Sequence, residues 1–312
     1  MSHNKTITKN FKHIVLFFTV VLLLLPSLLF AQDVLTREKG KLCIYFLDLE
    51  VDEFATDKSG DATILIAPEG EVMLIDCGHP QCGAQVIEAL RRLGVDHIDY
   101  FVASHPHIDH IGSFPQIAEA FPITKVFRSS LDYDSSQYMN YVQTIAGKGL
   151  DVETLSEGDS FSFGKDIEVK IYNPSEPISY PENYPANSTQ FVNNQSVAMR
   201  LSYGQSSAWF SGDLYMVQER SLTTKYGEEL HSDVAKANHH GGDTSNSLRW
   251  IKTIQPKIVV AMNDKLDSMT VYNNYKKYGS EYHLTQMDGT VRVVMDDRKN
   301  YSVTDTKESW MN

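Results

Sequence analysis

Cysteine is scarce in this chain, with three in 312 residues. That count and the length exclude a small disulfide-stapled scaffold. Positive charge is also short: 28 Lys and Arg stand against 40 Asp and Glu, for a formal charge of −12. Broad nucleic-acid surfaces draw their affinity from Lys and Arg neutralising phosphates, so no extended nucleic-acid surface is expected. No repeat with a period of roughly 20 to 50 residues is present, which excludes a solenoid. Aromatic residues make up 11% of the chain, more than a disordered segment carries, so the composition is that of a globular domain.

The first 31 residues stand apart from the rest. Lys5, Lys9 and Lys12 give a basic start, residues 14–25 are almost wholly apolar, and Pro26, Ser27 and Ala31 precede polar Gln32 and Asp33. This pattern predicts a secretory signal cleaved after Ala31; the rival reading is an uncleaved anchor helix. No cysteine follows the apolar run to accept a lipid. Cleavage removes three lysines and no acid, leaving 25 basic against 40 acidic residues in 32–312, a single acidic exported domain, secreted or periplasmic, with no stable membrane span. In an oxidising compartment Cys77 and Cys82 are near enough in sequence to close a small loop. The alternative is a buried Cys77 and a free Cys82 thiol opening a helix. Cys43 falls in an apolar run and is expected in the core.

Along 32–312 short apolar runs at 41–49, 63–67 and 72–75 are punctuated by Gly and Pro, which predicts a meander of buried strands. Further strands are expected at 100–103, 124–127, 161–163, 167–171, 197–203, 207–211, 234–237, 258–261 and 290–295. Helices are expected at 86–93, 117–121, 138–146, 217–226 and 248–254. Residues 174–185 read as a surface loop.

The chemistry concentrates in His105-Pro106-His107-Ile108-Asp109-His110. Three imidazoles and a carboxylate lie within six residues, directly after a predicted strand. A turn there can aim His105 and His107 at one metal ion while Asp109 and His110 face another. Two more strand ends add to this. Residues 208–213 finish in Gly212-Asp213, whose carboxylate can bridge two ions. The strand at 234–237 runs into Asn238-His239-His240-Gly241-Gly242, where glycine lets the backbone turn closely around a site.

These motifs resemble the metallo-β-lactamase fold of metal-dependent hydrolases. The segments at 44–48, 60–66, 73–78, 193–201 and 236–242 are similar to the branch typified by the hydrolase domain of competence protein ComEC, to which the phosphorylcholine esterase of bacterial cell walls is related. The resemblance implies an α/β, four-layer αββα sandwich. It further implies His105 and His107 on a first metal, Asp109 and His110 on a second, Asp213 bridging, and His240 completing the second site. His239 beside it would contact substrate or leaving group, Asp109 and His239 would serve catalysis, and Asp76 would orient a ligand histidine.

Two departures from the family pattern stand out. No histidine occurs between His110 and His231 to complete the first site, and Asn193 or Asn194 is the substitute, Asn193 foremost. Such an oxygen-rich site admits manganese beside zinc. Residues 49–59 form an acidic insertion that bears on substrate preference. His79, His97, His231 and His283 are read as structural. Tyr180, Tyr184 and Phe191 are read as packing, with an aromatic lid as the functional alternative.

The resulting expectation is an exported dinuclear hydrolase using a metal-bridging hydroxide on a small-molecule or polymeric phosphoester, a phosphodiesterase above all. A β-lactamase or lactonase, or a non-catalytic metal-binding envelope protein, is the alternative.

Overall fold

In the computed structural model residues 34–178, 185 and 188–307 are described; the expected export signal and Tyr180 and Tyr184 lie outside them. Two sheets face each other. The first has eight strands in the order β15-β14-β1-β2-β3-β4-β5-β6, built from Leu42–Phe46 (β1), Thr63–Ile66 (β2), Val72–Ile75 (β3), Ile98–Val102 (β4), Ile123–Arg128 (β5), Asp151–Thr154 (β6), Val291–Met295 (β14) and Tyr301–Thr304 (β15). The second runs β13-β12-β11-β10-β9-β8-β7, from Ser160–Phe163 (β7), Ile167–Asn173 (β8), Ala198–Tyr203 (β9), Ser206–Phe210 (β10), Val234–Lys236 (β11), Ile258–Ala261 (β12) and Glu281–Leu284 (β13).

Side-chain alternation divides the apolar residues into layers. Leu42, Ile44 and Phe46 of β1 point between the sheets and meet Val169, Met199 and Phe210 of the second sheet. Cys43 and Tyr45 point outward, under a helical layer that supplies Val86, Leu90, Phe114 and Tyr141. On the far side Trp209 and Ala235 are covered by Leu222, Trp250 and Ile254. The chain is thus an α/β, four-layer αββα sandwich.

Helix ends carry local signals. The helix Gly83–Arg92 (α1) buries Val86, Ala89 and Leu90, the spacing of one helical face. After the short turns Ile108–Ile111 (α2) and Phe114–Ala120 (α3), Ser136–Lys148 (α4) opens on Ser135, whose hydroxyl accepts from the Tyr138 amide, and closes on left-handed Gly149. Thr189–Asn193 (α5), Met216–Tyr226 (α6), Leu248–Ile254 (α7) and Met269–Lys277 (α8) complete the main helices.

All three cysteines are free and buried. Cys77 and Cys82 therefore follow the second of the two sequence readings, with Cys82 immediately preceding α1; its Sγ lies 3.6 Å from the carbonyls of Glu50 and Ser59. Among the described residues no helix is long and apolar enough to cross a membrane.

Strands β3, β4, β5 and β6 pair in parallel, as do β10 to β13, so each group ends along one edge. The carboxyl ends of β3, β4, β10, β11 and β12 deliver the chemically interesting loops.

Candidate metal centre

Five segments converge at those strand ends. The turn after β3 brings Asp76, the loop after β4 brings residues 104–110, the turn after β10 brings Asp213, and the turn after β11 brings His239 and His240. Asp61 enters from just before β2. Two glycines set the close approaches. At Gly60, with φ +79°, a Cβ would fall 1.7 Å from the Asp109 carbonyl oxygen. At Gly212, with φ +49°, it would sit 2.8 and 2.9 Å from the hydroxyls of Ser104 and Ser196. His239 and His240 themselves adopt left-handed backbone, φ 45° and 54°. That places His240 fully inside and leaves His239 with a side chain 20% exposed.

Hydrogen bonds fix the imidazoles. Ser104 Oγ donates to Asp76 Oδ2 at 2.7 Å, so toward His105 Nδ1, 3.1 Å away, it acts as acceptor. His110 Nδ1 lies 2.9 Å from Asp76 Oδ2, and His240 Nδ1 donates to the Met262 carbonyl at 3.0 Å, with Asp61 Oδ1 at 3.1 Å. With Nδ1 so engaged, the Nε2 atoms of His105, His110 and His240 point inward. All three turn to one atom: Asp213 Oδ2 is 4.0 Å from His105 Nε2, 3.3 Å from His110 Nε2 and 3.2 Å from His240 Nε2, and 3.9 Å from His239 Nε2. Asp109 Oδ2 joins at 3.2 Å from His240 Nε2 and 3.8 Å from His110 Nε2. His105 Nε2 and His107 Nδ1 face each other at 3.0 Å.

A carboxylate ringed by imidazole nitrogens calls for positive charge among them, supplied by protons on His110 and His240 or by a metal ion that replaces those protons. His110 Nε2 and His240 Nε2 are buried without a hydrogen bond, and so is Asn193 Oδ1, on a side chain that lies against His107. These donors fit a divalent ion. Among the described residues Asp61, His110, Asp213 and His240 are a buried group whose ligand atoms lie within 4.8 Å of one another and could hold one. Asp109, His105, His107 and Asn193 are the further donors around Asp213.

Sequence reasoning did not single out Asp61 and Lys236. Lys236 is buried, with Nζ 2.6 Å from Asp61 Oδ2 and 3.5 Å from Asp213 Oδ1, and it donates to the carbonyl oxygens of Gly212 and Ala237. The signal was a lysine inside the apolar run Val234-Ala235-Lys236-Ala237, where burial requires a partner.

Charge divides the site. Burial lowers the pKa of His110 and His240, but the carboxylates around them, Asp213 first, outweigh it and raise both well above the ordinary imidazole value. Burial raises Asp213, and His240, His110 and Lys236 overcome that to hold it well below the usual carboxylate range. In contrast burial holds His105 well below its ordinary value, lowers His107, and brings His239 down to about 4. The field that draws protons to His110 and His240 also draws metal cations.

The other histidines are elsewhere. His79 Nδ1 accepts from the Gln81 amide in a turn, and His97 pairs with Asp96 and Asp99 on the surface. His283, read from sequence as lacking nearby ligand partners, lies 3.5 Å from Asp288 in a group with Asp305. Neighbours five residues ahead were overlooked because β13 was missed. Phe191 packs with Leu131 and Val192 in a small core.

A cleft of about 410 Å³ opens over the centre, walled by Lys58, Tyr133, Gln137, Asn193 and His239, with Asp213 and His240 also lining it.

The profile of the Metallo-beta-lactamase superfamily matches residues 57–175, a span holding the 105–110 cluster. Over those residues the chain is similar to that superfamily. It is 23% identical over 242 residues to "Competence protein ComA" of Neisseria gonorrhoeae, covering 76% of this chain and 31% of that protein. It is 21% identical over 250 residues to "Uncharacterized protein YcaI" of Escherichia coli (strain K12), covering 77% and 29%. The chain thus spans about a third of the length of these curated relatives. Among solved structures, zinc-bound PqqB from Methylobacterium extorquens superposes with a TM-score of 0.54 at 12% identity, over 81% of this chain and 99% of that one. CmlA, a diiron β-hydroxylase from Streptomyces venezuelae, gives 0.51 at 11% identity, over 83% and 55%. Both likenesses concern the fold. Members of this superfamily are mostly metal-dependent hydrolases, and the buried His and Asp cluster suits a divalent metal.

Proposed function

We propose that the chain is an exported hydrolase with two divalent ions, and that its substrates are phosphodiesters. The observation that carries the reading is the single oxygen Asp213 Oδ2 set among four imidazole nitrogens under an open cleft. His105, His107 and Asn193 would hold one ion, Asp109, His110 and His240 the other, with Asp213 shared. When bound, such ions supply Lewis acidity and a water acidic enough to yield a nucleophile at neutral pH.

The chain's own groups do the rest. Asp76, through Ser104 and His110, keeps Nε2 of two histidines turned inward. Lys236 engages Asp61 and the outer oxygen of Asp213, leaving Oδ2 to face the imidazoles. His239, its pKa lowered to about 4 by burial and its side chain partly exposed to the cleft, stands where it can accept a proton from water or hydrogen-bond a leaving group. The phosphodiester preference is supported by a centre whose bound cations would attract phosphate on an otherwise acidic protein. Zinc is the metal we favour, with manganese second; PqqB binds zinc and CmlA iron on this fold.

The test couples metal analysis of the purified 32–312 protein to a panel of nitrophenyl phosphodiester, phosphorylcholine, nucleic-acid and nitrocefin substrates. Metal-dependent cleavage of the phosphodiester is expected. Turnover of nitrocefin alone would mark an acyl hydrolase, and metal without turnover a binding protein.

A further inference from the structure

The insertion at 49–59 does not loop away from the site. Its end is pinned to it: Ser59 hydrogen-bonds through both backbone and hydroxyl to the Asp264 carboxylate, the His79 amide donates to the Ser59 carbonyl, and the Asp61 amide donates to the Asp109 carbonyl at 3.0 Å. Gly60 lies against that same Asp109 carbonyl. The residue just before this fixed stretch, Lys58, is carried into the wall of the cleft, and no other Lys or Arg lines it among the described residues.

Lys58 is also held in place. Its Nζ donates to Asp267 Oδ2 at 3.1 Å, and the same oxygen accepts from Asn263 Nδ2 at 2.9 Å. That Asn263 nitrogen lies 3.1 Å from the His240 carbonyl oxygen. A chain of hydrogen bonds therefore ties the ammonium to the turn that carries His240. An ammonium has three donors, and Asp267 is the hydrogen-bond acceptor Lys58 meets here, so capacity remains for an anion in the cleft. The remaining wall is polar and neutral at Thr56, Ser135, Gln137 and Thr189, with Asp57 as its one further acid besides the central carboxylates.

We propose that Lys58 is a specificity-determining residue: its ammonium binds a non-bridging oxygen of a phosphodiester lying across the cleft and favours that monoanion over neutral esters. The inference rests on the phosphodiester reading above. One fixed cation suits a small diester or a single phosphate of a longer molecule, and does not make an extended polyanion track.

The experiment uses metal-loaded 32–312 protein and the variants Lys58→Ala, Lys58→Glu and Lys58→Arg. KM and kcat are measured for bis(p-nitrophenyl) phosphate and for neutral p-nitrophenyl acetate, and inorganic phosphate binding is measured by calorimetry, with metal content checked throughout. A charge-assisted hydrogen bond predicts a roughly ten- to hundredfold rise in KM for the diester and a similar loss of phosphate affinity in Lys58→Ala. Lys58→Glu should be worse, Lys58→Arg should recover most of the loss, and KM for the acetate should move far less. If wild type cleaves the diester and Lys58→Ala leaves both KM and phosphate affinity as they were, the inference is overturned while the phosphodiesterase reading stands. If wild type binds phosphate through Lys58 yet cleaves only the acetate, the reaction assignment fails and the anion contact survives. If metal content falls in Lys58→Ala, the residue acts on the centre and the specificity role is overturned.

Discussion

The two sides of the centre are built from different chemistry. Around His110 and His240 gather Asp61, Asp76, Asp109 and Asp213, countered by one buried lysine. Around His105 and His107 there are the amide Asn193, whose Oδ1 makes no hydrogen bond, and the shared Asp213. The pKa directions follow: raised for the first histidine pair, lowered for the second. Electrostatics therefore predicts unequal metal affinities, strong on the carboxylate-rich side and weak on the imidazole-amide side.

The most drastic way to break this contrast is Asp213→Ala, which removes the one carboxylate both sides share. Metal should fall from two equivalents to below one and hydrolysis should vanish; loss of about half the metal with rate unchanged would make Asp213 a terminal ligand or none. Next in size is Lys236→Met, which leaves Asp61 an uncompensated buried charge. Urea denaturation of the metal-free protein should show a loss of about 3 to 5 kcal/mol, largely recovered in Lys236→Met with Asp61→Asn. Recovery failing in the double variant would mean that Lys236 acts by packing.

The adjacent histidines separate ligation from proton handling. His239→Ala should keep both metals and slow turnover by roughly 10²- to 10⁴-fold, whereas His240→Ala should lose the strong-site ion. Reversed metal losses would exchange their roles. The mildest change, Asn193→His, restores a third imidazole to the weak side and should tighten it by about tenfold, one bond's worth at roughly 1.4 kcal/mol. Calorimetry reads this directly, and equal affinity in wild type and variant would place Asn193 outside the centre.

Much of this was legible because the defining residues lie at strand ends. The strand at 72–75, the helix at 248–254 and the strand at 258–261 have the bounds their apolar runs predict. Strand β6 escaped notice since all four of its residues are exposed on a sheet edge and carry no apolar pattern. Helix α8 and strands β13 and β15 were missed because short, mixed-polarity segments draw their structure from neighbours. The 105–110 cluster could be read from spacing alone. Asp61 could not, and Lys236 shows only as a lysine in an apolar run, because the pairing that joins them runs between the two sheets and no local pattern names the partner. Likewise the 49–59 insertion reads as merely acidic in sequence, and the fold turns its one lysine into the cleft.

The central claim is that two inequivalent ions share Asp213. Stepwise calorimetric titration of metal-free 32–312 protein with zinc, repeated with manganese, tests it most directly. The account predicts two successive binding events of different affinity, the tighter lost in His240→Ala and the weaker lost in His105→Ala. A single event, or two equal events that disappear together in either variant, would contradict it.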